Sequence, residues 1–258
     1  LGAHQNHFSH KLKNYNIKLR TIDLGLKYFG FRWFHLLSVK KKIIQKKIDE
    51  FDLIIDLQSK IRNTLILKQI PTQKFFSSSF NFFFCTKKNN YFNKKINTPS
   101  VVLDNLEIFL NTKIKKIDYD IAMLDSKYLQ EARRLLPGQN YIGFSVTQGN
   151  EYRQKSWPIE NFIKLAKKYT SVGKKIVFFI EKNDAKLINY IKNQLPSAIF
   201  PESMSEIASP PLVTALATRL EKTITIDNGT MHMISLAGTP MITLFGPTDA
   251  KKFSPKRD

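Results

Sequence analysis

One stretch near the carboxyl end of the sequence gathers residues able to hold an anion. It reads Ile226-Asp-Asn-Gly-Thr-Met-His-Met-Ile-Ser-Leu-Ala-Gly-Thr-Pro-Met-Ile-Thr-Leu-Phe-Gly-Pro-Thr248. A β-branched run ends at Ile226, and Asp227-Asn228-Gly229-Thr230 makes a sharp turn in which Gly229 is able to take φ > 0. A helix starting at about Thr230 or Met231 then points its first N–H groups and positive dipole end above the strand. That geometry suits a diphosphate. The Thr230 hydroxyl can add a hydrogen bond, Asp227 can accept one from a sugar hydroxyl, and His232 lies in the first turn facing the same ligand. A plainer reading of these residues is a capped helix, with Asp227 or Asn228 as the cap. Residues 238–240 turn the chain into a last strand, and residues 245–248 form a second loop at the same edge.

The elements that must position this turn alternate regularly. Residues 141–146 are predicted as a strand, 147–156 as a polar loop, and a helix begins at Pro158, where a missing N–H costs nothing. Its apolar stripe, Ile159, Phe162, Ile163, Ala166 and Tyr169, has helical spacing, and Gly173 closes it. Strands at 175–180, 223–226 and 241–245 alternate with helices at 184–194, 212–219 and 231–237. Strand–helix alternation with short links means a parallel sheet covered on both faces. Ligands of such sheets bind at the carboxyl ends of the strands. The first half is less regular. It has an aromatic and basic segment at 29–48, read either as an amphipathic helix at a membrane interface or as a helix packed on its own sheet. A buried parallel strand is expected at 51–58 and a helix at 62–70 stopped by Pro71. An apolar segment follows at 75–84, then a Lys/Asn-rich loop at 87–99 and helical spacing at 101–110. A helix at 126–136 with Ser126 as its N-cap precedes the domain boundary. Two domains are expected, residues 1–136 and 137–258, both α/β.

Composition narrows the function classes. The chain has 258 residues and a formal net charge of +20. The first 100 residues hold 19 Lys+Arg against 5 Asp+Glu, the remaining 158 hold 22 against 16. An anionic partner for the basic half follows, although a Lys-, Asn- and Ile-rich composition also accounts for much of the total. No helix-turn-helix, finger or ribonucleoprotein motif accompanies the charge, so nucleic acid is not an expected partner. A single cysteine, Cys85, excludes an internal disulfide and a cysteine-rich zinc site. His4, His7 and His10 lack a neighbouring carboxylate or thiol and read as a solvated terminus. No apolar run reaches the roughly 18–20 residues of a bilayer span, and the first residues show no signal-peptide core, so a cytoplasmic location is expected.

The 226–248 stretch resembles the donor-site signature of the bacterial ADP-heptose:lipopolysaccharide heptosyltransferases, glycosyltransferase family 9. A second segment, Ile142-Gly-Phe-Ser-Val-Thr147 followed by Lys155-Ser-Trp-Pro158, looks like the family's strand, phosphate loop and Lys-x-Trp-Pro helix start. The resemblance implies donor-binding roles for Asp227, Asn228, Gly229, Thr230 and His232, for Lys155 on the phosphates, and for Ser145 and Thr147 on phosphate oxygens. Residues 179–184 resemble the turn that binds the nucleoside ribose. Asp184 is the expected ligand and Glu181 the alternative, with a plain helix cap the other reading of Asp184. Residues 51–62 look like the family's Asp-Leu-Gln segment, so Gln58, Lys60 and Arg62 are acceptor contacts or structural residues. The implied fold has two Rossmann-like domains facing a cleft (GT-B type), the first incomplete. The implied reaction is inverting, metal-independent transfer of a heptose or related sugar, without a cofactor. The donor is a nucleotide-diphosphate sugar, ADP-heptose favoured, and the acceptor a phosphorylated glycolipid of the lipopolysaccharide core. Peripheral contact with an anionic inner membrane fits that acceptor. The family's amino-terminal strand and Gly-Asp turn, bearing the general base, and its last strand and helices find no match here. The expectation is a chain truncated at both ends with no nameable catalytic residue. The alternative is a degenerate, non-catalytic nucleotide-sugar-binding relative.

Overall fold

The computed structural model describes residues 22, 24, 34–58, 60–93, 99–115, 120–148 and 156–255. The chain divides into two compact units, Leu1–Lys116 and Ile117–Asp258. His4, His7, His10 and Lys155 lie outside the described residues. No described helix is long and apolar enough to cross a membrane.

The first unit holds α1 (Phe34–Gln45), β1 (Phe51–Asp56), α2 (Ile61–Leu67), β2 (Thr72–Ser77) and α3 (Pro99–Leu110). Strands β1 and β2 are parallel, with Phe51 opposite Thr72 and Asp56 opposite Ser77, joined through α2. Side chains alternate across a strand. Leu53 accordingly packs with Phe76, Phe82, Phe92, Leu106 and Phe109, while Ile54 packs with Val39, Ile43, Ile66 and Ile70. Helix α1 therefore lies on its own sheet through Val39 and Ile43, with Lys40 and Lys41 exposed. The expectation of a buried strand after Phe51 holds only at its end. Asp56 is buried, but Phe51 remains 38% and Leu57 72% exposed. The reason is position: β2 is the one strand bonded to β1 among the described residues.

The second unit holds α4 (Ser126–Leu135), β3 (Tyr141–Ser145), α5 (Ile159–Ser171), β4 (Lys175–Phe179), α6 (Ala185–Gln194), α7 (Pro210–Ala217), β5 (Leu220–Ile226), α8 (Gly229–Leu236), β6 (Met241–Leu244) and α9 (Ala250–Phe253). Its four strands run parallel in the order β4-β3-β5-β6. Strand β4 shows why both faces are covered. Ile176, Phe178 and Ile180 join the core formed with α5 and α6, and Val177 and Phe179 join that formed with α4, α7 and α8. Helix α4 thus belongs to this core through Ala132 and Leu135. Its cap is Asp125, whose carboxylate accepts from Lys127 N at 3.1 Å, rather than the expected Ser126. Ser126 is already helical, so its side chain stands one position too late to cap. Gly143 in β3 is required by packing: a Cβ there would lie 2.7 Å from Leu220 Cδ1 and 2.8 Å from Thr223 Cγ2. The sheet is thereby closed tightly beneath the end of β3.

Candidate functional site

The carboxyl ends of β3, β5 and β6 meet around Asn228. A strand that ends in Asp227-Asn228 and continues as a helix leaves one residue extended at the junction. Asn228 is that residue, with φ −145° and ψ 178°, and its Oδ1 caps α8 by accepting from Met231 N at 2.9 Å. Its amide nitrogen donates to Ser145 Oγ at 2.8 Å and to the Thr147 carbonyl at 2.9 Å. One neutral side chain therefore fixes the helix start against the end of β3 and the loop after it. Asp227 ties the other side: its buried carboxylate accepts from Thr248 Oγ at 2.6 Å, joining β5 to the loop after β6.

The consequence is an open helix start on a rigid base. Helix geometry gives the first N–H groups of α8 no intrahelical acceptor. Met231 N is used by Asn228, and the N–H groups of Gly229 and Thr230 stand ahead of it. Gly229 and His232 are exposed, Thr230 half-buried. The expected left-handed conformation at Gly229 does not occur, because the residue is already the first of α8. The left-handed glycine of this segment is Gly238, at φ 80°, where the chain turns toward β6. What a glycine contributes at 229 is a bare surface, since among the described residues an added Cβ would meet nothing closer than Met233 Cε at 3.9 Å. An exposed glycine at a positive helix start is an arrangement that suits a phosphate group.

The other sequence-predicted residues are placed variously. Ser145 is fully buried, and its hydroxyl meets Asn228. Thr147 is half-buried, and its carbonyl serves the same amide. Asp184 is half-buried and caps α6, accepting from Leu187 N at 3.2 Å. The chain returning to α5 is anchored by Ser156 Oγ donating to the Val146 carbonyl at 3.2 Å and by Trp157 packed edge-on against Phe162. In the first unit, Gln58 and Lys60 are exposed and Arg62 half-buried. Gln58 Oε1 accepts from Asn63, and Arg62 Nε donates to Asn63 Oδ1 at 3.2 Å. Behind them, Asp56 accepts from Gln58 N at 3.0 Å, Thr64 Oγ at 2.5 Å and Ser77 Oγ at 2.9 Å.

Sequence reading passed over Thr248, Asn63 and Glu202. Thr248 stood in the quoted Phe-Gly-Pro-Thr run, and that was its signal. Glu202 has none, because it reaches the sheet edge through a tertiary contact. Ile199 bridges Val177 in parallel and sets the following turn, Pro201–Met204, beside the end of β4. Burial, and then the neighbouring Glu181 carboxylate, push the Glu202 carboxyl up to about 7. Among the described residues no group of three or more His, Cys, Asp or Glu is placed to hold a metal ion.

The family model of glycosyltransferase family 9 (heptosyltransferase) matches residues 37–258. The chain belongs to that family. Among curated protein sequences none matches it. Its fold is similar to that of the family 9 glycosyl transferase from Veillonella parvula, with 18% identity and a TM-score of 0.57 over 86% of this chain and 66% of that one. It is similar to E. coli heptosyltransferase WaaC with ADP, at 17% identity and a TM-score of 0.53 over 78% of this chain and 64% of that one. E. coli ADP-heptose lps heptosyltransferase II matches at 15% identity and a TM-score of 0.50 over 86% of this chain and 70% of that one. At such identities the likeness establishes the family 9 fold, an α/β architecture with parallel sheets, and function must be argued from the site. The chain spans about two thirds of the length of these family 9 structures.

Proposed function

We propose that this family 9 chain is a glycosyltransferase whose second unit binds a nucleoside diphosphate sugar at the start of α8. The open N-terminus of α8, held from beneath by Asn228, carries this reading. WaaC of E. coli has been solved with ADP and with an ADP-2-deoxy-2-fluoro heptose, which makes ADP-heptose the favoured donor here. The transfer is inverting and needs no metal. Negative charge grows on the departing diphosphate, and the N–H groups of Gly229 and Thr230, with Lys155, stabilise it; fixed dipoles aimed at developing charge are the strongest catalytic device available to such a site. Asp227 is braced by Thr248 and orders the loop after β6 next to the sugar. Ser145 and Thr147 act through Asn228, and Asp184 or Glu181 with Glu202 lines the nucleoside end. The first unit, Leu1–Lys116, holds a phosphorylated glycolipid near Gln58, Lys60 and Arg62 at the cytoplasmic face of a membrane, and the second, Ile117–Asp258, holds the donor.

The test is calorimetric titration with ADP, GDP and UDP, on the parent chain and on Asp227→Ala and Lys155→Ala. Preference for ADP, weakened about tenfold or more by either substitution, supports the donor site. A folded chain that binds none of the three overturns it. Binding without sugar transfer selects the non-catalytic alternative.

A further inference from the structure

A loop of the first unit carries large aromatic side chains outward on a rigid base. After β2 the chain passes through Phe80, Asn81 and Phe82 with φ of 54°, 53° and 63°, three successive non-glycine residues in the left-handed region. Such a conformation persists only where the surroundings impose it. Here Phe82 is driven into the core, its ring 4.8 Å from Phe92 and 5.8 Å from Phe76 by centroid. Its neighbours are forced the other way: Phe80 is 72% exposed, Phe83 60%, and Tyr91, at the far end of the loop, 84%. Exposed phenylalanines held together, with ring centroids of Phe80 and Phe83 6.4 Å apart, are not the surface of a molecule meant to meet only water.

The charge along this stretch of the sequence has one sign. Between Asp56 and Asp104 the sequence has eight Lys and Arg and no Asp or Glu. Lys87 and Lys88 are exposed in the same loop, and Lys88 Nζ sits 5.2 Å from the centroid of the Phe83 ring. An aromatic tip flanked by lysines, without an acid for nearly fifty residues of sequence, matches a surface that is negative outside and apolar just beneath. Aromatic rings occupy the headgroup–acyl boundary while ammonium groups stay among anionic headgroups. A folded protein partner would need acidic groups around an apolar socket. The bilayer offers both properties everywhere on its surface.

We infer that the Phe80–Tyr91 loop inserts into the interface of an anionic lipid bilayer, with Phe80, Phe83 and Tyr91 in the interface and Lys87 and Lys88 on its headgroups. It rests on the proposed function only in that a phosphorylated glycolipid acceptor lies in such a surface. Helix α1 packs Val39 and Ile43 into the unit's own core and leaves Phe34, Leu37 and Ile44 exposed, so a dye placed in the loop is what assigns the contact to the loop.

The experiment attaches an environment-sensitive dye to the full chain at Asn90→Cys; Cys85 is buried and does not compete. The probe surfaces are phosphatidylcholine vesicles with and without phosphatidylglycerol. Dye emission should rise and shift to the blue with the anionic vesicles alone. Phe80→Asn/Phe83→Ser, which keeps a residue tolerant of the left-handed region at 80, should lower partitioning by about tenfold or more. Lys87→Ser/Lys88→Ser should lower it by about fivefold per lysine at low ionic strength, and the loss should vanish in high salt. An unchanged dye signal on vesicles that bind the protein overturns the inference, as does equal binding by the phenylalanine variant or no vesicle binding at all. Parallel ADP titrations separate the outcomes. Loss of nucleotide binding with vesicle insertion intact strikes the donor site alone, and the reverse strikes this loop alone.

Discussion

The two units end a parallel strand in the same way on paper and use that end oppositely. At the end of β1 a buried carboxylate, Asp56, collects Gln58 N, Thr64 Oγ and Ser77 Oγ. The Thr64 and Ser77 hydroxyls there are turned inward, and α2 starts at Lys60 without a side-chain cap. At the end of β5 a neutral amide, Asn228, both caps α8 and braces the loop after β3, and the helix start faces outward over the exposed Gly229. A charge buried in a strand end must be surrounded by donors to be tolerated. An amide needs fewer partners and can leave neighbouring N–H groups for a ligand. The end of β1 closes on its carboxylate alone, whereas the end of β5 sets an amide beside the buried Asp227 carboxylate, and it is the amide that builds the platform.

The largest test of this contrast is Asp56→Ala. It removes the acceptor from three donors at a buried site, and the first unit should lose about 3 kcal/mol. Hydrogen exchange across β1, α2 and β2 should report the loss while ADP binding to the second unit stays unchanged. A fall in ADP affinity would break the comparison, since the knot would then serve both ends of the molecule.

Asn228→Ala should come next, with about 2 kcal/mol lost from the second unit and a matching fall in ADP affinity. Asn228→Asp sharpens the point. It keeps the cap on Met231 N but sets an oxygen against the Thr147 carbonyl, so exchange at the loop after β3 should rise while the helix start stays protected.

The smallest effect is a pH dependence. Burial and Glu181 raise Glu202 from 4.5 to about 7, so the folded state binds that proton more tightly than the unfolded state. Stability from this group is complete below pH 4.5 and is lost as pH rises toward 7, by about 1 kcal/mol for a partly solvated carboxyl. Glu131 has the opposite sign. Hydrogen bonds from Arg134 and Ser205 hold it down at about 2, so its contribution is present above pH 4.5 and lost toward pH 2. Denaturant titrations across pH 4.5 to 7 should show a decline that Glu202→Gln levels. A decline that persists in the variant would assign it elsewhere.

Much of the second unit was legible in advance because its strands are short apolar runs with turn residues between them. Strands at 141–146 and 175–180 and the helices after them fall within a residue or two of their observed limits. The turn at 227–230 was legible as a motif, and its reading as a capped helix holds, with Asn228 as the cap. Less could be read where neighbours decide. Ser126 and Asp125 are equally good caps by type, and one residue of helix register chose between them. Ser145 looked like a ligand and is buried beneath Asn228, because β3 lies in the middle of the sheet.

By itself the sequence determined the alternation of elements, the family and the place of the capped turn at 227–230, because these depend on periodicity and on residues adjacent in the chain. Only the tertiary structure decided what each polar group does. The partners of Asn228 lie 81 and 83 positions away, and Thr248 lies 21 from Asp227. The Glu202 carboxyl is raised by its burial and then by the Glu181 charge for the same reason. Hydrogen bonding and desolvation depend on distance in space, and local patterns carry no record of which distant strand will arrive beside a given side chain.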